Sequence, residues 1–265
     1  MNVFDYLCNL ILDSIIMLLS ISVVQVISIV LVLVVLFLGF KIMESSWSYT
    51  ISKPHNWEQA VKHGLVSKEL LKIEGRYRDK VRFYNLWIQI ERLKTLKVKG
   101  DFAELGVYKG ETAWMMHQMD ASRSLHLFDT FEGFDAKDLT NEKKKDERYT
   151  TDNFSDTSLY AVKDLFEGKS DIYFYQGYFP DTTKGLKDKK YALVHLDADL
   201  YLPTIEGLKY FYPKMSPGGV IIIHDYNHTW TGIKQSIDEF LTTIPESLVE
   251  VLDWQGSVMI IKNRV

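Results

Sequence analysis

The sequence predicts a three-layer α/β sandwich with a mostly parallel sheet and an antiparallel edge strand, preceded by a helix able to cross a bilayer. Three observations carry this. Residues 9–40 are almost wholly apolar, with Asp13 their only formally charged member. Beyond about residue 100, short apolar runs alternate with amphipathic segments, the rhythm of βα units packed on both faces of a sheet. The last two apolar runs, Leu248 to Trp254 and Val258 to Ile261, are separated only by Gln255-Gly256, a hairpin-like spacing that makes an antiparallel edge.

A helix needs about 20 apolar residues to cross the hydrocarbon core of a bilayer. The stronger half of the apolar run, Val23 to Phe40, has Gln25 as its only strongly polar side chain. A buried core helix seldom needs so long a run, and no small-residue cleavage pattern of a signal peptide follows Phe40. Two crossings would put the connecting turn at membrane depth. The expected organisation is a single-pass membrane anchor over 1–44, a juxtamembrane linker over 45–74 and a large domain over 75–265. Lys41 and Lys53 follow the run, whereas Asp5 and no lysine or arginine precedes it, which places the large domain weakly on the cytoplasmic side. Trp47 and Trp57 read equally as aromatics at headgroup level and as packing residues of a linker helix.

Composition excludes several classes. With 31 Lys+Arg against 35 Asp+Glu, nothing in the charge demands a nucleic-acid partner. Cys8 is the single cysteine, so an intramolecular disulfide and a thiolate metal cluster are both excluded. The run Lys143-Lys144-Lys145 is followed at once by Asp146 and Glu147, and a solvated loop explains it.

Helical spacing from Val81 to Leu96 suggests a helix leading into the core. Phe102 to Val107 is the first strand, Glu111 to Met119 a helix and Leu125 to Asp129 the second strand. A polar insertion over 135–156 reads as a substrate-facing lid or a surface loop, with Tyr149 and Phe154 available to pack it down. Leu159 to Phe166 is helical, Ile172 to Tyr175 and Ala192 to Asp197 are strands, and Thr204 to Tyr212 is helical. Gly219 to His224 forms a further strand, and Ile233 to Leu241 a helix. Ligands of such a sheet bind beyond the carboxyl ends of its parallel strands.

Two of those ends carry chemistry. The first strand runs into Glu104-Leu-Gly106-Val-Tyr108-Lys-Gly110-Glu-Thr112. Its glycines allow close backbone approach, and amides at the helix start suit anionic or electron-rich groups. The second strand ends in Asp129, placed to accept hydrogen bonds from ribose hydroxyls. A dinucleotide reading survives here, although the loop lacks the close Gly-x-Gly-x-x-Gly spacing that suits a pyrophosphate.

At the other end, His195, Asp197 and Asp199 recur at every second position and share a face if the extended conformation continues that far. The next parallel strand ends in His224-Asp225. Neighbouring strand ends would gather three carboxylates and up to two imidazoles, a group that a divalent ion would stabilise against mutual repulsion. The competing reading has Asp199 capping the following helix and His195 satisfied locally.

These residues resemble the macrocin O-methyltransferase family. The matching blocks are DFAELGVYKGET at 101–112, LFDTFEGFD at 127–135, GYFPDTT at 177–183, VHLDADLYLPT at 194–204, SPGGVIIIHDY at 216–226 and GIKQSIDEF at 232–240. The resemblance implies a Rossmann-like class I methyltransferase fold and S-adenosylmethionine-dependent methylation of a sugar or glycoside hydroxyl, assisted by Mg²⁺. It implies that Glu104 and Gly106 line the methionine end of the donor, within a cofactor turn that includes Tyr108, Gly110 and Thr112, and that Asp129 lies at the ribose. It makes Asp197 a metal ligand that shares in catalysis, Asp199 the general base, and residues 224 and 225 the remaining ligands. The family usually has Asp-Asp there, whereas this chain has His224-Asp225, and imidazole suits Mn²⁺, Zn²⁺ or Fe²⁺ better than Mg²⁺.

The anchor beside such a domain suggests a lipid-linked saccharide as acceptor. The alternatives are an NAD-dependent sugar-modifying oxidoreductase and a catalytically inactive membrane-tethered binding protein. Oligomeric state, a homo-oligomer included, is left open by the sequence.

Overall fold

A computed structural model of the chain describes residues 7–8, 10–12, 22–140, 142, 149–228 and 231–263, and for 46–52 the backbone alone. Asp5, Asp13 and the lysine run at 143–145 lie outside the described residues. The chain divides into two compact units, Met1–Ser52 and Lys53–Val265.

In the first unit, helix α1 spans Val23–Ser52. Gln25, the polar exception in the apolar run, belongs to its cap. Its side-chain oxygen accepts from the Ser22 amide at 2.8 Å, while the Gln25 amide donates to Ser22 Oγ at 3.2 Å. This reciprocal pair satisfies amides that the first helical turn leaves open. The segment Val23–Ser45 is long and apolar enough to cross a membrane by length and composition, and none of it is buried.

The second unit opens with three helices: α2 (His55–Lys62), α3 (Lys68–Arg76) and α4 (Lys80–Thr95). Ser67 caps α3 by accepting from the Leu70 amide, and Asp79 caps α4 by accepting from the Arg82 amide. Here the structure departs from the expected linker over 45–74. From Lys53 onward that stretch belongs to the same compact unit as the sheet. Trp57 is fully buried and meets Phe83 and Trp87 edge-to-face at 5.2 and 5.1 Å. The reason is amphipathicity: Trp57, Leu70 and Ile73 supply apolar cover that α4 lacks when alone. Trp57 is therefore a core residue, while the side chain of Trp47 lies outside the described residues.

The sheet follows with strands β1 (Asp101–Leu105), β2 (Leu125–Asp129), β3 (Ile172–Gln176), β4 (Tyr191–Leu196), β5 (Met215–Ile223), β6 (Leu248–Glu250) and β7 (Val258–Ile261). Their order is β3-β2-β1-β4-β5-β7-β6. The first five run parallel, and β7 lies antiparallel to both β5 and β6. The antiparallel strand is thus one place in from the edge, and the edge itself is the short β6. Burial explains this inversion: β7 is mostly buried and takes the inner place, while β6 is largely exposed. The run expected to continue to Trp254 leaves the ladder after Glu250, and Leu252 stands 91% exposed.

Helix α5 (Glu111–Met119) follows β1, α6 (Ala136–Leu139) and α7 (Leu159–Leu165) lie between β2 and β3, and α8 (Tyr201–Phe211) and α9 (Thr231–Leu241) flank β5 in the chain. Alternate strand residues enter two cores. Phe102, Leu125, Leu193 and Val220 pack with the α4 and α5 side, and Ala103, Phe128, Val194 and Ile221 pack with the α8 and α9 side. The crossover direction reverses between β1 and β4, which opens a crevice at their carboxyl ends.

Trp57→Ala should lower the stability of the second unit by about 3–5 kcal/mol, the usual range for a buried tryptophan truncated to alanine. Denaturant unfolding of the full chain measures it, and a change below about 0.5 kcal/mol, in the range typical of surface positions, would return residues 53–74 to the role of a linker.

Candidate active site

The crevice is a cavity of about 370 Å³. Its depth comes from one close backbone approach. Beyond β1, Gly106 adopts φ +85°, and a Cβ there would lie 2.0 Å from the carbonyl oxygen of Asp197. Only glycine fits. Gly110 closes the turn at φ +79° as the cap of α5, against Val162, and stands behind the cavity wall.

Asp129 organises the loop between those glycines. Its Oδ2 accepts from the amides of Val107 and Tyr108 at 2.6 and 3.0 Å, and its Oδ1 accepts from the Phe131 amide at 2.5 Å. Carboxylate oxygens have several acceptor sites, so this set leaves room for a further donor. Tyr108 and Lys109 in turn grip the far end of the insertion: the Tyr108 hydroxyl donates to Asp156 at 2.5 Å, and Lys109 pairs with the same carboxylate at 2.5 Å. Phe154 packs edge-to-face on Tyr108 at 5.2 Å and lines the cavity. The second half of the expected lid is therefore clipped to the loop between Gly106 and Gly110, while residues 143–148 lie outside the described residues.

On the facing wall, β4 and β5 end side by side, Leu196 opposite Ile223. One ligand atom each from Asp197, His224 and Asp225 lie within 4.8 Å of one another. His224 Nδ1 stands 3.0 Å from Asp197 Oδ1 and 3.0 Å from Asp225 Oδ1. The angles make neither contact a well-formed hydrogen bond: both ring nitrogens of His224 and Oδ1 of Asp225 are buried polar atoms with no such partner among the described residues. Buried atoms of this kind call for a missing group. A divalent ion that accepts mixed nitrogen and oxygen ligands fits the donor set.

The alternation expected through Asp199 does not hold. Strand β4 ends at Leu196, and Asp199 turns into the left-handed region at φ +60°, as Asp225 does at φ +62°. Asp199 does not cap α8 either, since the cap residue is Leu200. Both aspartates instead line the cavity. Such backbone conformations cost energy and cluster at functional sites.

Charge explains the protonation pattern. Burial alone would raise Asp197, but His224 and Arg82 outweigh it and hold this carboxyl well below its usual range. Asp199 moves the other way, pushed well up by burial and by the charges of Asp197 and Asp225. Burial disfavours a charged His224, yet Asp197 and Asp225 prevail and push it up to about 10, and a divalent ion bound here would have to displace that proton. Burial and then Arg82 lower His195 to about 3, so it is neutral. Its Nδ1 lies 2.9 Å from Glu104 Oε1, a local partner, and His195 is not one of the three clustered ligands. Glu104 is raised well above normal by burial and by Asp197.

Arg82 and Asp138 are among the cavity-lining residues that sequence reasoning missed. Arg82, from α4, donates to Asp197 Oδ2 at 2.6 Å, and the helical spacing of its segment gave no sign of a site. Asp138, on α6, is buried against the hydroxyl of Tyr178, which donates to it at 3.0 Å, and burial pushes it up to about 7.

The family model described as Macrocin-O-methyltransferase (TylF) matches residues 77–261. The chain belongs to this family. Over 159 residues it is 31% identical to the 8-demethyl-8-(2,3-dimethoxy-alpha-L-rhamnosyl)-tetracenomycin-C 4'-O-methyltransferase of Streptomyces olivaceus, covering 55% of this chain and 60% of that enzyme. It is 30% identical over 191 residues to the mycinamicin III 3''-O-methyltransferase of Micromonospora griseorubida, covering 66% of this chain and 74% of the relative. Among solved structures, the O-methyltransferase NovP matches with a TM-score of 0.60 at 23% identity, over 70% of this chain and 81% of NovP. The calicheamicin methyltransferase CalS11 matches with a TM-score of 0.52 at 17% identity, over 83% of this chain and 91% of its own. The fold is accordingly that of a Rossmann-like class I methyltransferase, and the family's chemistry is S-adenosylmethionine-dependent O-methyl transfer. Of the residues read from the sequence, Glu104, Gly106, Tyr108, Thr112, Asp129, Asp197, Asp199, His224 and Asp225 line one cavity.

Asp129→Asn should weaken S-adenosylhomocysteine binding roughly ten- to hundredfold, since it weakens charge-assisted bonds worth about 1.5–3 kcal/mol each. Calorimetry giving unchanged affinity removes Asp129 from the cofactor site. Asp138 supplies a pH test. Its carboxyl rises from 3.8 to about 7 in the fold, so the stability it contributes is complete below 3.8 and is lost as pH rises through about 7. Wild type should therefore lose stability across that window, and Asp138→Asn should flatten the slope in denaturant titrations at successive pH values.

Proposed function

We propose that this protein methylates a hydroxyl of a sugar or glycoconjugate, with Asp199 as general base and Asp197, His224 and Asp225 as ligands of a divalent ion. The observation that carries the reading is the junction, in one cavity, of a glycine-turn cofactor wall with a buried cluster of two carboxylates and an imidazole. When bound, S-adenosylmethionine supplies an electrophilic methyl group, and a divalent ion supplies charge that lowers the pKa of a nearby hydroxyl. The chain's own residues do the rest. Asp199, raised by burial and then by its acidic neighbours, is a stronger base than a free aspartate, and with an ion offsetting those neighbours' charge it would stand ionised and take the hydroxyl proton. Glu104, Asp129 and the amides between Gly106 and Thr112 orient the donor. Phe154 and Tyr108 narrow the cavity against water. By their names, one relative above acts on a rhamnosyl-bearing tetracenomycin C and the other on mycinamicin III, and the first supports a glycoside acceptor here.

Helix α1 is the proposed single-pass anchor, with the second unit on the cytoplasmic side. Its exposed apolar length and the lysines that follow it support this. A lipid-linked saccharide is then the acceptor that an anchored enzyme would meet.

Membranes incubated with methyl-labelled donor should yield a labelled, lipid-extractable glycoconjugate, and label confined to water-soluble products would overturn the lipid-linked acceptor. Asp197→Asn should abolish turnover with Mn²⁺ and with Mg²⁺, while Asp199→Asn should keep Mn²⁺ binding and lose turnover. His224→Asp should shift the metal preference from Mn²⁺ toward Mg²⁺. Turnover that resists chelators, with the same metal profile in His224→Asp, would sink the metal assignment. Deletion of residues 1–43 should release the protein from carbonate-washed membranes with donor binding intact, and retention in the pellet would count against α1 as sole anchor.

A further inference from the structure

We infer that Arg82 is the positioning residue that presents Asp197 to the metal site, through a buried polar chain running from the cofactor wall to the ligand cluster. The inference rests on the metal reading proposed above.

The chain is continuous. Glu104 Oε1 on β1 lies 2.9 Å from His195 Nδ1 on β4, His195 Nε2 lies 3.2 Å from an Arg82 terminal nitrogen, and that same nitrogen donates to Asp197 Oδ2 at 2.6 Å. The Arg82 side chain is only 14% exposed. The division of labour at Asp197 is what matters. Arg82 takes Oδ2, whereas Oδ1 faces His224 Nδ1 at 3.0 Å within the cluster. A carboxylate gripped at one oxygen cannot swing the other away. Lysine could supply the charge. Both contacts come from one guanidinium nitrogen, held by a planar, pre-organised group where a lysine ammonium would ride on a flexible stem.

Arg82 is itself held. Its amide donates to Asp79 Oδ1 at 2.9 Å, and Asp79 Oδ2 accepts from the Trp254 amide at 2.9 Å. Helix α4 lies outside the βα units, yet this cap ties it to the loop whose Gln255 lines the cavity. The first turn of α4 is thus fixed on the side from which Arg82 enters.

The test uses the full chain in detergent, with Mn²⁺ affinity read from the paramagnetic resonance of free Mn²⁺ and S-adenosylhomocysteine affinity read by calorimetry. Arg82→Met should lose about 10- to 100-fold in Mn²⁺ affinity, the usual effect of removing a partner of a metal ligand, while keeping its nucleoside affinity. Arg82→Lys should recover part of the Mn²⁺ affinity, because the charge returns on a more flexible stem. If Arg82→Met binds Mn²⁺ as tightly as wild type or more tightly, Arg82 competes with the ion and the inference is overturned. Parallel loss of both affinities would also overturn it, by making the role one of general structure. Wild type that binds no Mn²⁺ would remove the metal reading and this inference with it.

Discussion

The site depends on how closely the backbone leaving β1 approaches the backbone leaving β4. At Gly106 the two chains pass so near that even a methyl group would overlap the Asp197 carbonyl. That contact sets two half-sites face to face. One half is the turn gripped by Asp129, and the other is the acidic cluster behind Asp197. Transfer between a cofactor and an acceptor needs both in one cavity with their reacting atoms in line. A wider separation of the strand ends would leave two functional walls with nothing between them to react.

Gathering acids in so small a volume creates an electrostatic problem that the fold solves with unequal environments. Asp197 stays ionised because His224 and Arg82 outweigh its burial, and Asp199 is pushed toward its protonated form because burial and the charges of Asp197 and Asp225 outweigh His224. Carboxyls driven apart in this way can serve different purposes, one as a ligand and one as a proton acceptor. In the cluster with Asp197 and Asp225, His224 offers imidazole nitrogens beside carboxylate oxygens. Its ring is held between two carboxylates, and its nitrogens lack well-formed hydrogen bonds among the described residues.

The helices before the sheet bear on the same chemistry. They cover one face of the core through Trp57, Leu70 and Ile73, and the first turn of α4 delivers Arg82 to the bottom of the cavity. Trp57 packs on Phe83, the residue next to Arg82, so loss of packing around Trp57 would be felt at Asp197. The apolar helix α1 belongs to a separate compact unit, and its reciprocal Ser22–Gln25 cap spares the first turn open amides at the start of an apolar segment.

The sequence by itself determined the βα order, the apolar α1 and the strand ends that carry Glu104, Asp129, Asp197, His224 and Asp225. Those features are local: a period of two or of 3.6 residues, a glycine in a turn, an acid where a strand stops. The tertiary structure alone decided the rest, because long-range partners leave no local period. Burial placed β7 inside β6, although both read as one hairpin. Trp57 entered the core because α4 needed apolar cover from outside its own helix. Asp199 left the strand face because the backbone turns left-handed immediately beyond β4. Arg82 sits on a helix whose visible pattern is that of packing, and its meaning came from Asp197, 115 residues later in the chain and 2.6 Å away in space.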